Sequence, residues 1–330
     1  MDKIELPVTQ PPIICYLHHA YALAIILCHP QFEPWFFSNY IQLLYDGNDN
    51  NKFNIYSPSD IFMGTPLFKT QNSNKFILSA LDIDYKTYIN KFISEGYYFC
   101  TFVEEYLVPG KAAYKSYSLK HECLFYGYDN IERRYNIMGF DKRRIFQGSY
   151  LSYEDFDIAF NSITDSELML FIQVNSNKKP VFDVELVKMQ LKDYIESENT
   201  SHCLRIIDRE FGNNTWGLKV FERLKEYFKS VMDGDVQLET RYLQILWEHK
   251  KCMLNRLKYM YENGYVKNSM HYDSYRTVER NFQIIRNLSL KFIMDKDRNI
   301  FIKIFPLIDK IVQDECDILK NVLLDLNSSN

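Results

Sequence analysis

The sequence has no pattern of paired cysteines. Its cysteines are odd in number, scattered, and without a CxxC pair, and they stand at positions 15, 28, 100, 123, 203, 252 and 316. Disulfide-stabilised folds and structural zinc sites use regularly spaced cysteines, so this pattern disfavours both classes. A chain of 330 residues also buries a core large enough to fold without such cross-links. We therefore expect a protein of the reducing cytoplasm.

Long apolar segments and a strong net charge are also missing. The most apolar run, residues 20–28, is far shorter than the roughly 20 residues that cross a bilayer. The N-terminal residues include acidic side chains and lack the apolar stretch of a signal peptide. A net charge of -4 gives no reason to expect binding to nucleic acid or to a membrane surface. What is present, 46% hydrophobic and 25% charged residues, is typical of a globular protein.

The first half of the chain mixes helical and strand patterns. Residues 15–28 are rich in Ala and Leu, lack Gly and Pro, and are apolar on nearly all sides, which predicts a buried helix. The remaining predicted elements are helices at 33–45, 84–95 and 152–160, a helix start at 57–60, and strands at 97–108, 121–129, 134–140 and 168–174. Helices followed by hairpin strands predict an α+β domain with an antiparallel sheet.

The second half of the chain is predicted to be helical. After a candidate linker at 175–180, apolar residues recur at spacings of three and four, as in Phe221, Leu224, Phe228 and Val231. We expect five or six helices here. The predicted domains are 1–178, with α+β structure, and 179–330, mostly α-helical.

A candidate catalytic histidine lies at the start of the predicted hairpin. His121 opens an apolar run that turns at Gly127, and the returning run of residues 134–140 is followed by Asp141. The two outer ends of an antiparallel hairpin are neighbours, so Asp141 can orient His121 as a base. Asp129 is the alternative acid, but it lies at the hairpin turn, away from the histidine.

A candidate nucleophile lies upstream. Cys15 is predicted to be the first residue of the buried helix, where the amide groups and the helix dipole stabilise a thiolate. In contrast, Cys28 ends that helix, and Cys100 and Cys123 lie inside apolar strands. Gln10 can donate a side-chain N–H to an oxyanion, beside the backbone N–H of Cys15.

The order Gln10, Cys15, His121 and Asp141 resembles that of the papain-like cysteine enzymes. The motif His-x-x-x-x-x-Gly-Tyr-Asp of residues 121–129 is followed by a strand and an aspartate. It resembles the motif of the C39-like branch of these enzymes. It also resembles the butirosin-type acyltransferase group, to which amide synthases of antibiotic assembly belong.

This resemblance covers about residues 1–175 and includes two departures. Ile14-Cys15-Tyr16 stands where C39 peptidases have Asp-Cys-Gly, and Asp141-Lys142 stands where they have Asp-Pro. Both departures weaken the resemblance to a leader peptidase and affect the resemblance to the acyltransferase group less.

The resemblance implies a papain-like domain that forms amide bonds in specialised, antibiotic-type metabolism. It implies that Cys15 attacks an acyl thioester on a phosphopantetheinyl carrier protein and that a small-molecule amine accepts the acyl group. His121 then transfers the proton, Asp141 holds the imidazole, and Gln10 binds the oxyanion. It implies no metal and no cofactor besides the donor thioester.

A basic run follows the proposed acid directly. Since carrier proteins are usually acidic, Lys142, Arg143 and Arg144 are predicted to form a docking surface for the carrier protein.

Three other interpretations stay open at this point. The first is a cysteine peptidase or amidase that uses the same catalytic residues. The second is a catalytically silent, papain-like binding protein. The third is a metal site, because Cys15 and His19 are four residues apart on one helix face and His29, or His121 with Cys123, could complete the ligand set.

Overall fold

The protein has an α+β structure with antiparallel sheets. A computed structural model describes residues 2–47, 52–57, 61–201 and 213–328. The strands are β1 (Lys3–Glu5), β2 (Leu43–Asp46), β3 (Lys52–Ile55), β4 (Phe68–Ser73), β5 (Tyr98–Glu104), β6 (Lys120–Asp129), β7 (Arg134–Phe140), β8 (Phe146–Ser152), β9 (Met169–Val174) and β10 (Thr215–Trp216). The helices are α1 (Leu17–Ile26), α2 (Glu33–Ser38), α3 (Ile61–Gly64), α4 (Lys75–Ala80), α5 (Tyr85–Ser94), α6 (Tyr153–Asn161), α7 (Val184–Glu196), α8 (Val220–Asp233), α9 (Thr240–Glu262), α10 (Met270–Asp295) and α11 (Ile300–Ser328).

The chain divides into two compact units. The first unit comprises Met1–Pro30 and Ser59–Lys179, and the second comprises Gln31–Pro58 and Pro180–Asn330. The predicted boundary at 178/179 coincides with a unit boundary to within one residue. Residues 31–58, which the prediction included in the first domain, are grouped with the C-terminal helices in the second unit.

The first unit is built on one antiparallel sheet. Its strand order is β4-β9-β5-β6-β7-β8, and β1 pairs with the end of β6. The predicted hairpin is confirmed as β6 and β7, which pair from Asp129 with Arg134 to Leu124 with Met138. β4 and β8, at the two edges of the sheet, were not predicted.

One face of this sheet carries an aromatic core under α5 and α6. Phe99, Phe125 and Phe171 of the strands are fully buried against Phe156 and other apolar side chains of the helices. Both helices begin at side-chain caps, since Asp84 accepts a hydrogen bond from the Thr87 amide and Ser152 accepts one from the Asp155 amide.

Helix α1 contacts the sheet through Tyr21 near its middle, and Cys28, just after its C-terminus, contacts the segment before it. The Tyr21 hydroxyl donates a hydrogen bond of 3.0 Å to the Glu122 carbonyl oxygen, and the Tyr21 ring packs on Phe146. The Cys28 sulfur lies 3.4 Å from the Pro7 carbonyl oxygen, which also accepts a hydrogen bond from Tyr98. The N-terminus of α1 therefore points toward the end of the sheet where β6 begins.

The second unit combines a small sheet with long helices. Its sheet has the order β10-β2-β3. The described residues of its C-terminal part form α7 to α11, in agreement with the predicted five or six helices. The helix predicted at 33–45 is confirmed only for Glu33–Ser38, because the backbone at Tyr40 turns left-handed with φ of 58° and the chain then enters β2.

Two buried side chains of α9 hold this N-terminal segment in the second unit. Arg256 donates to the carbonyl oxygens of Phe37 and Tyr40, at 2.8 and 3.2 Å. His249 contacts the Ile41 carbonyl oxygen at 2.7 Å through Nε2, and burial lowers the pKa of His249 well below its ordinary value. The neutral ring therefore donates through Nε2, and both contacts satisfy carbonyl groups at the end of α2.

Two predictions fall on residues that are not described. Three of the four residues of the predicted helix start at 57–60, and Cys203, lie outside the described ranges. In the part of the chain that is described, none of the helices combines the length and apolar character needed to cross a membrane.

Candidate active site

The structure joins His121 to a carboxylate that the sequence did not predict. β5 pairs with β6 so that Val103 lies opposite His121, and Glu105 follows in a short 3-10 turn at the end of β5. The Glu105 Oε1 lies 3.2 Å from the His121 Nδ1. Glu105 is buried, whereas the His121 side chain is 39% exposed. A carboxylate on Nδ1 fixes the tautomer with the proton on that nitrogen and leaves Nε2 as the basic nitrogen.

A buried lysine extends this pair into a polar cluster. The Lys111 Nζ lies 3.7 Å from the Glu105 Oε1, and both side chains are more than nine-tenths buried. The Lys111 ammonium lies next to Gly139. If Gly139 had a side chain, its Cβ would lie 2.8 Å from the Lys111 Nζ and 3.2 Å from the Tyr21 hydroxyl. Tyr21 thus brings α1 into contact with the same part of the sheet as Lys111.

Asp141 has a different role from the predicted one. Its Oδ1 accepts hydrogen bonds from the Arg143 and Ile145 amides, and its Oδ2 accepts from the Arg143 and Gln147 side chains. The hydrogen bond from the Ile145 amide contributes most to lowering the pKa of Asp141 below its ordinary value. Asp141 therefore closes the turn between β7 and β8, and Glu105 is the residue that hydrogen-bonds to the His121 ring.

Cys15 lies just before α1. The helix starts at Leu17, two residues later than predicted, and Tyr16 is its N-cap residue. The thiol is buried and forms no disulfide. Strand alternation places His121 on the side of Cys123 and Phe125, which α5 and α6 cover. The partner that the structure describes for the His121 ring is Glu105.

Several other cysteines are poor nucleophiles by environment. Burial raises the pKa of Cys123 to about 12 and that of Cys252 to about 12. It also raises the pKa of Cys28, whose thiol donates to the Ile25 carbonyl oxygen at 2.9 Å. A thiol with a raised pKa is less often present as the reactive thiolate.

The proposed oxyanion and metal residues are distributed as follows. Gln10 is exposed in an extended segment, and the amide of its neighbour Thr9 donates to Ala24 in the last turn of α1. His19 is buried, and its ring lies 4.1 Å from that of the exposed His18. Within the described ranges, no three His, Cys, Asp or Glu side chains are close enough together to hold a metal ion.

The predicted docking residues occupy an exposed turn. Lys142, Arg143 and Arg144 follow β7, and the Arg143 guanidinium lies 3.3 Å from the Asp141 Oδ2. The turn adjoins a cavity of about 350 Å³ that also includes Lys111 in its lining.

The sequence reasoning missed Glu105 and Lys111. Residues 97–108 were predicted to be one strand, which hid the turn that begins at Glu105. A signal was nevertheless present, because a hairpin between this strand and the one that starts at His121 places the end of the first beside the start of the second. A carboxylate at that end is a candidate partner for the histidine.

Comparisons with known proteins give this chain no family. No family model matches the sequence, and no curated protein is significantly similar to it.

Proposed function

We propose that this protein is a papain-like thiol acyltransferase that forms an amide bond from an acyl thioester and an amine. The observation that carries the proposal is the Glu105–His121 pair, with 3.2 Å between Oε1 and Nδ1, and Cys15 just before the N-terminus of α1 is the proposed nucleophile. A base held by a carboxylate, together with a thiol before a helix N-terminus, is the set of groups that nucleophilic acyl transfer requires.

Each residue has a defined role in the proposed reaction. The Cys15 thiolate attacks the thioester carbonyl carbon, and an acyl-Cys15 thioester forms. The donor leaves as a thiol that takes its proton from the His121 imidazolium. The amine then attacks this acyl group, His121 takes up its proton through Nε2, and the Cys15 thiolate is released. Glu105 replaces Asp141 as the residue that orients the ring. The oxyanion is proposed to bind the backbone N–H of Cys15, because Gln10 lies beside the last turn of α1, away from Cys15. Apo enzymes often have long catalytic contacts that close on binding substrate, so the Cys15–His121 contact is expected to form with substrate.

The thioester donor makes the first step easy. Exchange of one thioester for another is close to thermoneutral, and amide formation from the enzyme thioester is downhill without ATP. We propose that the donor is carried on the phosphopantetheinyl group of an acidic carrier protein, which docks on the exposed basic turn formed by Lys142, Arg143 and Arg144.

An acyl adduct on Cys15 tests the proposal directly. We expect intact-mass spectrometry to show one acyl group per chain after incubation with a small-molecule acyl thioester, because Cys15 forms a covalent intermediate. Cys15→Ala should remove the adduct. Cys28→Ala is the matched control, since Cys28 follows the same helix at its other end, and it should keep the adduct. An adduct that persists in the Cys15→Ala variant would refute the assignment of Cys15 as the nucleophile.

Hydrolysis is the second candidate function, because the His121 side chain is 39% exposed and water reaches the base. The peptidase or amidase alternative uses the same residues. The decay of the Cys15 adduct distinguishes the two functions. For an acyltransferase, a primary amine should shorten the adduct's lifetime and appear in an amide product. An adduct that decays equally fast with and without amine, to the free acid alone, would identify a hydrolase.

The docking surface has a separate test. Arg144→Glu should raise the KM for a carrier-bound thioester and leave the KM for a small-molecule thioester unchanged, because the charge reversal affects only the protein donor. Steady-state kinetics with both donors measure this difference. Equal KM values for the carrier-bound donor in the variant and the unmodified protein would exclude a role for this turn.

A further inference from the structure

A cavity of about 350 Å³ lies beside Lys111 in the first unit. It lies between the loop at Gly110 and the end of the β7–β8 hairpin, and its lining includes Phe140, Lys142, Arg143 and Tyr150. Its volume is at the lower end of the range of about 300–1,000 Å³ for small-molecule sites. The cavity therefore has room for a ligand of about the size of one ring with a charged substituent.

Lys111 is the most deeply buried charged residue in the lining of this cavity. The residue is only 6% exposed, and its Nζ lies 3.7 Å from the Glu105 Oε1. At that distance the two groups form an ion pair but not a hydrogen bond, so Glu105 does not take up the three N–H donors of the ammonium. An anion in the cavity would supply the acceptors.

The charge around the cavity also favours an anion. Three cationic side chains, Lys111, Lys142 and Arg143, line it together with one carboxylate, Asp141. Asp141 already accepts four hydrogen bonds from its own turn. The remaining positive charge raises the local concentration of anions.

The other lining residues give the cavity an apolar wall. Phe140 packs on Phe146, with ring centroids 5.4 Å apart. Tyr150 is 57% exposed, and the Arg134 guanidinium stacks on its ring at 3.9 Å from the ring centroid. A ligand that reaches Lys111 therefore passes between an aromatic wall and the cations of the turn.

We infer that this cavity binds a small organic anion, with its carboxylate or phosphate group on Lys111 and its apolar part against Phe140 and Tyr150. The inference goes beyond the proposed acyl transfer and rests on the cavity alone. It holds for any role of Cys15.

Calorimetric titration with benzoate and with phenyl phosphate tests this site. We expect binding of at least one probe, weakened about tenfold or more by Lys111→Met, because a charge-assisted hydrogen bond is lost. Lys142→Gln, an exposed change that should not affect folding, should also weaken binding. The probe that binds more tightly identifies the anionic group.

Two control variants separate this site from other effects. Lys69→Met removes the same charge from the exposed face of β4, at the opposite edge of the sheet, and should leave the affinity unchanged. Cys15→Ser should also bind the probes normally, so failure of the acyl-transfer proposal would not affect this result. The inference is overturned if neither probe binds, or if Lys142→Gln and a folded Lys111→Met both bind like the unmodified protein.

Discussion

Replacement of Lys250 by methionine should lower the free energy of unfolding of the second unit by about 3–5 kcal/mol, because it leaves a buried carboxylate without its cation. Lys250 on α9 and Glu315 on α11 are both 0% exposed. The Lys250 Nζ lies 2.7 and 2.9 Å from the two Glu315 oxygens. A solitary carboxylate in this position would have to remain desolvated or take up a proton, and both cost free energy.

The Glu315 carboxylate has further partners that define the geometry of the cluster. The Tyr194 hydroxyl of α7 donates to Glu315 Oε2 at 3.0 Å, and the Tyr275 hydroxyl of α10 donates to Oε1. Lys250 also donates to the Tyr194 oxygen at 2.7 Å, and its ammonium lies 4.5 Å from the Phe221 ring centroid. Burial raises the pKa of both tyrosines well above the ordinary value, so both remain hydroxyl donors. One carboxylate thus connects four helices.

Tryptophan fluorescence during urea unfolding measures this effect in the right part of the molecule. All three tryptophans, at positions 35, 216 and 247, belong to the second unit. Lys258→Met, an exposed change on the same helix, should alter stability by less than about 0.5 kcal/mol. Lys250→Met combined with Glu315→Leu should recover much of the loss, because no charge then remains buried alone. Equal losses for Lys250→Met and Lys258→Met would contradict the role of the pair.

Local sequence signals predicted much of the secondary structure. Side chains such as Asp84 and Ser152 cap helices through groups three residues away, and the apolar spacing of α8 repeats along the sequence itself. These features depend on neighbours in the chain, so the sequence displays them. The same is true of the hairpin that begins at His121.

Features that depend on distant residues were not predictable. Residues 31–58 belong to the second unit because Arg256 and His249, more than two hundred positions away, bind the carbonyl groups near Tyr40. The buried charge on Lys250 likewise depends on Glu315, on another helix. In a single sequence a buried cation looks like an exposed one, since its partner is not nearby in the chain. The candidate site shows the same limit, because the sequence alone did not show which strand end lies beside His121.

Glu105→Gln should lower the rate of acyl transfer by on the order of 10³-fold or more, because an amide in place of the orienting carboxylate favours the wrong histidine tautomer. The Glu105 Oε1 faces the His121 Nδ1 at 3.2 Å. With glutamine there, the amide N–H₂ can donate to Nδ1, which moves the ring proton to Nε2. The nitrogen that should accept the proton would then already carry one. The loss should appear in kcat with a thioester substrate, whereas KM should change little.

Asp141→Asn is the matched control for this prediction. It makes the same carboxylate-to-amide change in the residue that the sequence favoured, and the asparagine oxygen can still accept from the Arg143 and Ile145 amides. The low pKa of Asp141 means that the change removes a full charge at neutral pH. If Glu105 orients His121, Asp141→Asn should leave kcat unchanged. Because Glu105 also pairs with the buried Lys111, each variant needs its thermal unfolding measured, so that lost activity is compared only between folded proteins. A large loss of kcat in Asp141→Asn, with Glu105→Gln active and folded, would return the orienting role to Asp141 and would require the β7–β8 turn to rearrange around His121 when substrate binds.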